Sequence, residues 1–261
     1  MYCLKILCAF MIQRFCNKYN VFLLNNPSLL QVMHQAPVYF ANKSIKTHQM
    51  TKKKAKSPER EAFKALLQTV EKFSEEDVNY LMEDLDHWGF FKMPASCRKH
   101  NCYEGGLAKH SLNVCQMAQM LREQILTIRP DLEPLLPRDS VIITSLLHDV
   151  CKSGIYQKVT RRQKNEIGLW ESSSAYNIDY SYLPVGHGEK SVIMLLRSGL
   201  DLTDNEILAI RWHMGGWDLP YQSQEMIASQ KKACEITPLV TLIHTADAMA
   251  ANLMERPYTT L

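Results

Sequence analysis

The 261-residue chain has no C-x-x-C pair. Its eight cysteines (Cys3, Cys8, Cys16, Cys97, Cys102, Cys115, Cys151, Cys234) are scattered, and several fall inside helical patterns. That spacing excludes a zinc-finger array and does not suit a disulfide framework, so the thiols read as free and a cytoplasmic, reducing compartment is expected. The chain also lacks any run of eighteen or more apolar residues, which excludes a conventional membrane-spanning helix and makes a membrane partner unexpected. Charge of one sign is missing too: 30 basic and 27 acidic residues leave a formal net charge of +3. Bulk electrostatics therefore give no argument for nucleic acid, although they do not exclude it, and an anionic substrate would have to be recognised locally. No internal repeat or low-complexity stretch appears.

The beginning of the chain differs in character from the rest. "MYCLKILCAFMI" is apolar, but Lys5 interrupts it and no clean cleavage site follows, so a signal peptide is not expected. "MTKKKAKSPEREAF", from Met50, reads as a polar start to a globular domain, and its lysines read as a solvated linker. The expected organisation is an N-terminal extension and linker over residues 1–56, with a start at Met50 as the alternative, and one domain over residues 57–261.

From Ser57 onward, helix follows helix. Ser57-Pro58-Glu59 is an N-cap, a first-turn proline and a first-turn acid, and predicts a helix to about Phe73. Ser74-Glu75-Glu76-Asp77 opens a second, ended by Gly89. A third follows Gly105-Gly106; in it His110, Val114, Met117 and Leu121 fall within roughly 60° of one another, so His110 faces inward. A fourth starts near Asp139 and runs through "VIITSLL" into His148-Asp149. Tyr156–Arg162 and Gly168–Ser173 are β-prone pieces around a polar turn and predict a small hairpin. Helices then follow in "GHGEKSVIMLLRSG", after the capping box Thr203-Asp204-Asn205-Glu206 as far as His213, and from Thr237-Pro238 to about Glu255. The class is all-α with a β-hairpin insertion.

Three polar groups sit where apolar ones are expected. Asp247 lies within roughly 40° of Val240, Ile243, Ala251 and Met254, at the centre of its helix's apolar stripe. Asp149 ends the most apolar run of the chain. An unpaired buried carboxylate is costly to desolvate, and with His110 these groups converge on a cation held between helices; a hydrogen-bonded polar core is the competing reading. Histidine with carboxylate suits Mn, Fe, Ni, Mg or Zn as a divalent ion. His187 in "PVGHGEKS" and His213 in "RWHMGGW" lie at element ends beside glycines that would let backbone approach a ligand closely. Joined to the others, they would give ligands enough for one or two ions; the competing reading makes them dipole partners of helix ends.

His110, the pair His148-Asp149, and Asp247 in "HTADAMAA" resemble the H…HD…D signature of the HD-domain metal-dependent phosphohydrolases, an all-α fold. The likeness covers roughly residues 95–254 and includes "HNCYEGGLAKHSLNV", "LLHDVCK", "GHGEKS" and "RWHMGGW" in order. It looks like small stand-alone HD hydrolases of bacteria and phages and is similar to the HD domain of bacterial 3′-to-5′ exoribonucleases. The resemblance implies an HD-domain helical bundle in which His110, His148, Asp149 and Asp247 hold a first metal. Asp149 would bridge to a second ion held by His187 and His213, a hydroxide between the ions would attack phosphorus, and Lys152 would stabilise phosphate charge. Lys152 also reads as a partner for a helix C-terminus. Cys151 stands where the family's frequent HD-x-G-K pattern has glycine.

The expected activity is hydrolysis of a phosphoester in a small phosphorylated substrate of the nucleotide class. Two alternatives stay open: phosphodiester or 3′-to-5′ exonuclease cleavage of cyclic or oligonucleotides, and a metal-bound nucleotide-binding module without turnover. The chain has no room for the OB-type nucleic-acid domain of the exoribonucleases. "CRKHNC", from Cys97 to Cys102, lacks a fourth ligand at zinc spacing, and His100 reads as a residue of the loop leading to the first ligand helix. Arg161, Arg162, Lys190 and Arg211 are candidates to grip phosphate, and Trp170, Trp212 or Trp217 to stack on a base; surface charge and ordinary core packing are the competing reading. His244 reads as a supporting residue rather than a ligand.

Overall fold

The computed structural model describes residues 57–219 and 223–258. The expectations placed on residues 1–56, including the start at Met50 and the linker lysines, lie outside the described residues.

Eight α-helices and one hairpin make up the described chain: α1 Pro58–Leu67, α2 Glu75–Trp88, α3 Gly106–Ile128, α4 Arg138–Leu147, β1 Tyr156–Lys164, β2 Trp170–Ile178, α5 His187–Arg197, α6 Asp204–Trp212, α7 Gln224–Ile236 and α8 Pro238–Met249. Their boundaries follow local chemistry. Ser57 caps α1 through the Arg60 N–H, Ser74 and Asp77 form a reciprocal capping box on α2, and Thr203 and Glu206 do the same on α6. Gly89 ends α2 at φ 82°, a left-handed conformation that suits glycine.

The centre of the fold is α4, in which every residue from Ser140 to Leu147 is buried. Its apolar side chains pack with Phe63 and Leu67 of α1, Leu81 and Leu85 of α2, Leu107 of α3 and Leu195 of α5; Val141 instead joins Val114, Leu242 and Ile243. Two buried polar residues of α4 are satisfied within the helix: the Thr144 hydroxyl donates to the Ser140 carbonyl at 2.6 Å and the Ser145 hydroxyl to that of Val141 at 2.6 Å. A fully buried helix can therefore carry them without exposing its backbone or stranding a hydroxyl.

Four sequence expectations are corrected. First, α1 stops at Leu67 and does not reach Phe73. Val70 turns into the core, and the Glu71 N–H donates to Asp139 Oδ2 at 2.7 Å, so docking on α4 outweighs continuation of the helix. Second, α7 was not anticipated: Ala233 is the one residue of that helix that is fully buried, which leaves a weak apolar stripe, although Ser223 caps it through the Met226 N–H.

Third, the final helix is α-helical only to Met249 and continues as a π-helical turn over Ala250–Met254. The wide turn changes the phase, so Met254 is exposed and does not share the inward face of Asp247. Fourth, the hairpin is longer than expected, in antiparallel register from Tyr156↔Ile178 to Lys164↔Trp170. Its turn is closed by Asn165, whose Oδ1 accepts from the Leu169 N–H at 2.9 Å.

Glu206 joins several elements at once. Its carboxylate, 1 % exposed, accepts from Lys72 Nζ at 2.8 Å, from the Ser140 hydroxyl at 2.8 Å and from the Thr203 N–H at 2.9 Å. Glu206→Ala removes the partner of the buried Ser140 hydroxyl and of the Thr203 N–H and one partner of the exposed Lys72 ammonium, and we expect a loss of about 2 kcal/mol in urea unfolding, with Glu206→Gln losing less.

Candidate metal centre

Five helices deliver the site. His110 comes from the second turn of α3, His148 and Asp149 from the C-terminal end of α4, His187 from the first residue of α5, His213 from the residue after α6, and Asp247 from α8. Two glycines let these elements meet. A Cβ on Gly188 would lie 2.1 Å from the Arg211 carbonyl oxygen, so its absence lets α5 and α6 touch backbone to backbone. Gly215, at φ +56°, leaves room for the His244 ring, to whose Cε1 a Cβ would come within 2.7 Å. At these two positions the glycines serve close approach between protein elements.

Four of these residues, His110, His148, His187 and His213, converge on Asp149, whose side chain is 1 % exposed. Its Oδ2 lies 3.3 Å from His148 Nε2 and 3.5 Å from His110 Nε2; its Oδ1 lies 2.7 Å from His187 Nε2 and 3.5 Å from His213 Nε2. Asp247 Oδ1 stands 3.1 Å from His110 Nε2. The Lys152 ammonium pairs with Asp149 Oδ2 at 2.5 Å.

The far nitrogens of the rings fix their orientation. His148 Nδ1 donates to the Ser145 carbonyl at 2.8 Å and His213 Nδ1 to that of Ile210 at 2.7 Å, which leaves each Nε2 as a lone pair aimed at the carboxylates. His244 Nδ1 donates to the His213 carbonyl at 2.6 Å and so holds the backbone of that residue from behind. The Nε2 atoms of His110, His148 and His213 are buried without a hydrogen-bond partner. Three partnerless imidazole nitrogens around two carboxylates are the donor set of a divalent cation, and without a cation they are costly to bury.

Charge is tuned in the same sense. Burial opposes the ionised form of Asp149, but the nearby Lys152 and His148 overcome it and hold the carboxyl well below the usual range. Asp247 is likewise kept ionised against burial by the neighbouring His110 ring. Burial lowers His213, whereas at His110 the carboxylates of Asp247 and Glu255 outweigh burial and raise the ring to about 9. Burial opposes charge on His187 as well, but Cys151 and Asp149 raise it well above its ordinary value.

One residue of the site escaped sequence reasoning. Glu255, 1 % exposed, receives His110 Nδ1 at 3.1 Å and the Asn113 amide at 2.9 Å, and thereby turns His110 Nε2 toward Asp149 and Asp247. The π-helical turn brings it there, and no ideal helical period places it on that face. His100 does sit beside the site, its ring 5.0 Å from that of His110, and burial lowers it to about 4.

The residues considered for phosphate or base contacts fare unevenly. Arg211 is neutralised by Glu189 at 2.5 Å and Asp218 at 2.8 Å, and its guanidinium stacks on Trp212, which is buried. Lys190 is buried too and donates to the Tyr182 carbonyl at 2.6 Å. Arg161 and Arg162 are exposed on β1, Trp170 is exposed on β2, and Trp217 is 87 % exposed in the turn after His213.

The family model of the HD domain matches residues 107–252, more than half of the chain. The chain belongs to the HD domain family. HD domains are in general metal-dependent hydrolases, and this one brings His110, His148 and Asp149 together as a candidate metal site. Comparison with curated proteins and with solved structures gave no match. The matched segment starts within α3 and ends in the π-helical turn, and α1 and α2, which pack on α4, lie outside it. No helix among the described residues is long and apolar enough to cross a membrane.

Because Glu255 orients His110 without joining the inner cluster, Glu255→Gln should weaken binding of a divalent ion roughly 10–100-fold while leaving the fold intact. Calorimetric titration of the metal-free protein with Mn²⁺ measures it.

Proposed function

We propose that this HD domain is a metal-dependent phosphohydrolase that cleaves a phosphoester of a nucleotide. The observation that carries the reading is the ring of buried, partnerless Nε2 atoms of His110, His148 and His213 around Asp149 and Asp247. His110, His148, Asp149 and Asp247 would hold a first ion, and Asp149 with His187 and His213 a second; Mn, Fe, Ni, Mg and Zn all suit such nitrogen and oxygen donors. When bound, such an ion supplies Lewis acidity toward a phosphoryl oxygen and toward water.

The chain's own residues prepare the rest. Ser145 and Ile210, through their carbonyls, and Glu255, through its carboxylate, set the orientation of three imidazoles, so their Nε2 atoms need no reorientation on loading. Lys152 pairs with Asp149 Oδ2, and once that carboxylate is shared its ammonium is available to a phosphoryl oxygen. Trp217, exposed four residues beyond His213, offers a face on which a base can stack. Free thiols and the lack of a long apolar run support action in the cytoplasm on a small phosphorylated substrate. We take residues 57–261 as the hydrolase domain and residues 1–56 as an appended segment.

The test is a nucleotide panel assayed with Mn²⁺ for product release. Wild type should turn over at least one nucleotide, and Asp149→Ala should abolish that activity, with a fall of at least 10³-fold, because it removes the group all the others face. Lys152→Ala should lower kcat more than it raises KM. Metal-dependent nucleotide binding with no product would instead identify a recognition module, and release from oligonucleotides alone would identify an exonuclease.

A further inference from the structure

One side chain beside the cluster is neither oxygen nor nitrogen. Cys151 follows Asp149 by two residues in a short 3₁₀ turn, Val150–Gly154, and its backbone N–H donates to the Ser191 hydroxyl of α5 at 3.1 Å. That bond ties the turn to the helix that begins with His187. The thiol, 1 % exposed, consequently lies 3.2 Å from His187 Nδ1 and 3.7 Å from His187 Nε2, while the same Nε2 stands 2.7 Å from Asp149 Oδ1. Ligand atoms of Asp149, Cys151 and His187 all lie within 4.8 Å of one another. On the same side of Asp149, 3.5 Å from Oδ1, the buried Nε2 of His213 has no hydrogen-bond partner.

We propose that Cys151 is a ligand of the second cation position, which it completes with Asp149, His187 and His213 as a mixed oxygen, nitrogen and sulfur site for a zinc-class ion. The inference rests on the reading of this cluster as a metal centre and adds the identity of one ligand and its consequence. A thiol that ligates does so as the thiolate, its proton passing to solvent, and thiolate favours Zn²⁺ or Co²⁺ over Mg²⁺ and Mn²⁺. The first position, with the imidazoles of His110 and His148, the carboxylates of Asp149 and Asp247 and no cysteine grouped with those imidazoles or with Asp247 among the described residues, has no such preference. The two positions are therefore unequal: one accepts any of several divalent ions, the other selects the softer ones.

Cobalt(II) titration of the full-length, metal-free protein under reducing conditions tests this, because Co²⁺ bound to a thiolate absorbs by charge transfer in the near ultraviolet and Co²⁺ bound to nitrogen and oxygen alone does not. Wild type should show that absorption along with the visible bands of bound cobalt. Cys151→Ser and Cys151→Gly should lose it and bind Zn²⁺ at the second position at least tenfold more weakly, with Mn²⁺ affinity unchanged; Cys97→Ser should keep the absorption. Cobalt bound to wild type without the ultraviolet absorption, or absorption that survives in Cys151→Ser, overturns the proposal and leaves the metal centre standing. Failure of wild type to bind cobalt at all overturns both.

Discussion

The carboxylate of Asp149 is removed from water at the end of a helix that is itself removed from water, and the rest of the site is arranged around the cost of that burial. Four imidazoles and an ammonium approach its two oxygens from four different segments. No single pairing suffices, because a buried ion is stable only when its remaining lone pairs are also met. The apolar packing of α4 on α1, α2, α3 and α5 holds that helix end in place, so the same residues that form the core also aim the carboxylate.

Beyond the donors lies a layer of groups that touch only the donors. The Ser145 and Ile210 carbonyls, the Glu255 carboxylate and the His244 ring each fix one imidazole or the backbone that carries it. Such contacts hold three imidazoles in a preformed cradle, which lowers the reorganisation needed when an ion binds. Glu206 plays a comparable part away from the site, joining α6 to Ser140 at the start of α4 and to Lys72. The inner cluster and its supports together explain why a small all-helical domain holds so many buried polar groups.

Much of this was legible in the chain as written. Capping residues located the starts of α1, α2 and α6, and the helical period placed His110 on an inward face. An acid at the centre of an apolar stripe marked Asp247, and the His148-Asp149 pair marked itself by ending an apolar run. Glu255 was not legible, because a π-helical turn changes the period between Asp247 and it. Nor was α7, whose faces differ too little in polarity to stand out. The roles of Arg211 and Trp212 stayed open between ligand contact and ordinary packing for another reason: ion pairing and burial depend on neighbours distant in sequence.

The sequence by itself determined the all-helical class, the hairpin between α4 and α5, and the residue types able to hold a cation, since caps, hydrophobic period and side-chain chemistry are properties of the local chain. Only the tertiary structure decided which nitrogen of each ring faces Asp149, which carbonyl or carboxylate holds the opposite nitrogen, and that the Cys151 thiol stands against His187. Those facts depend on distances between helices that meet only when the core closes.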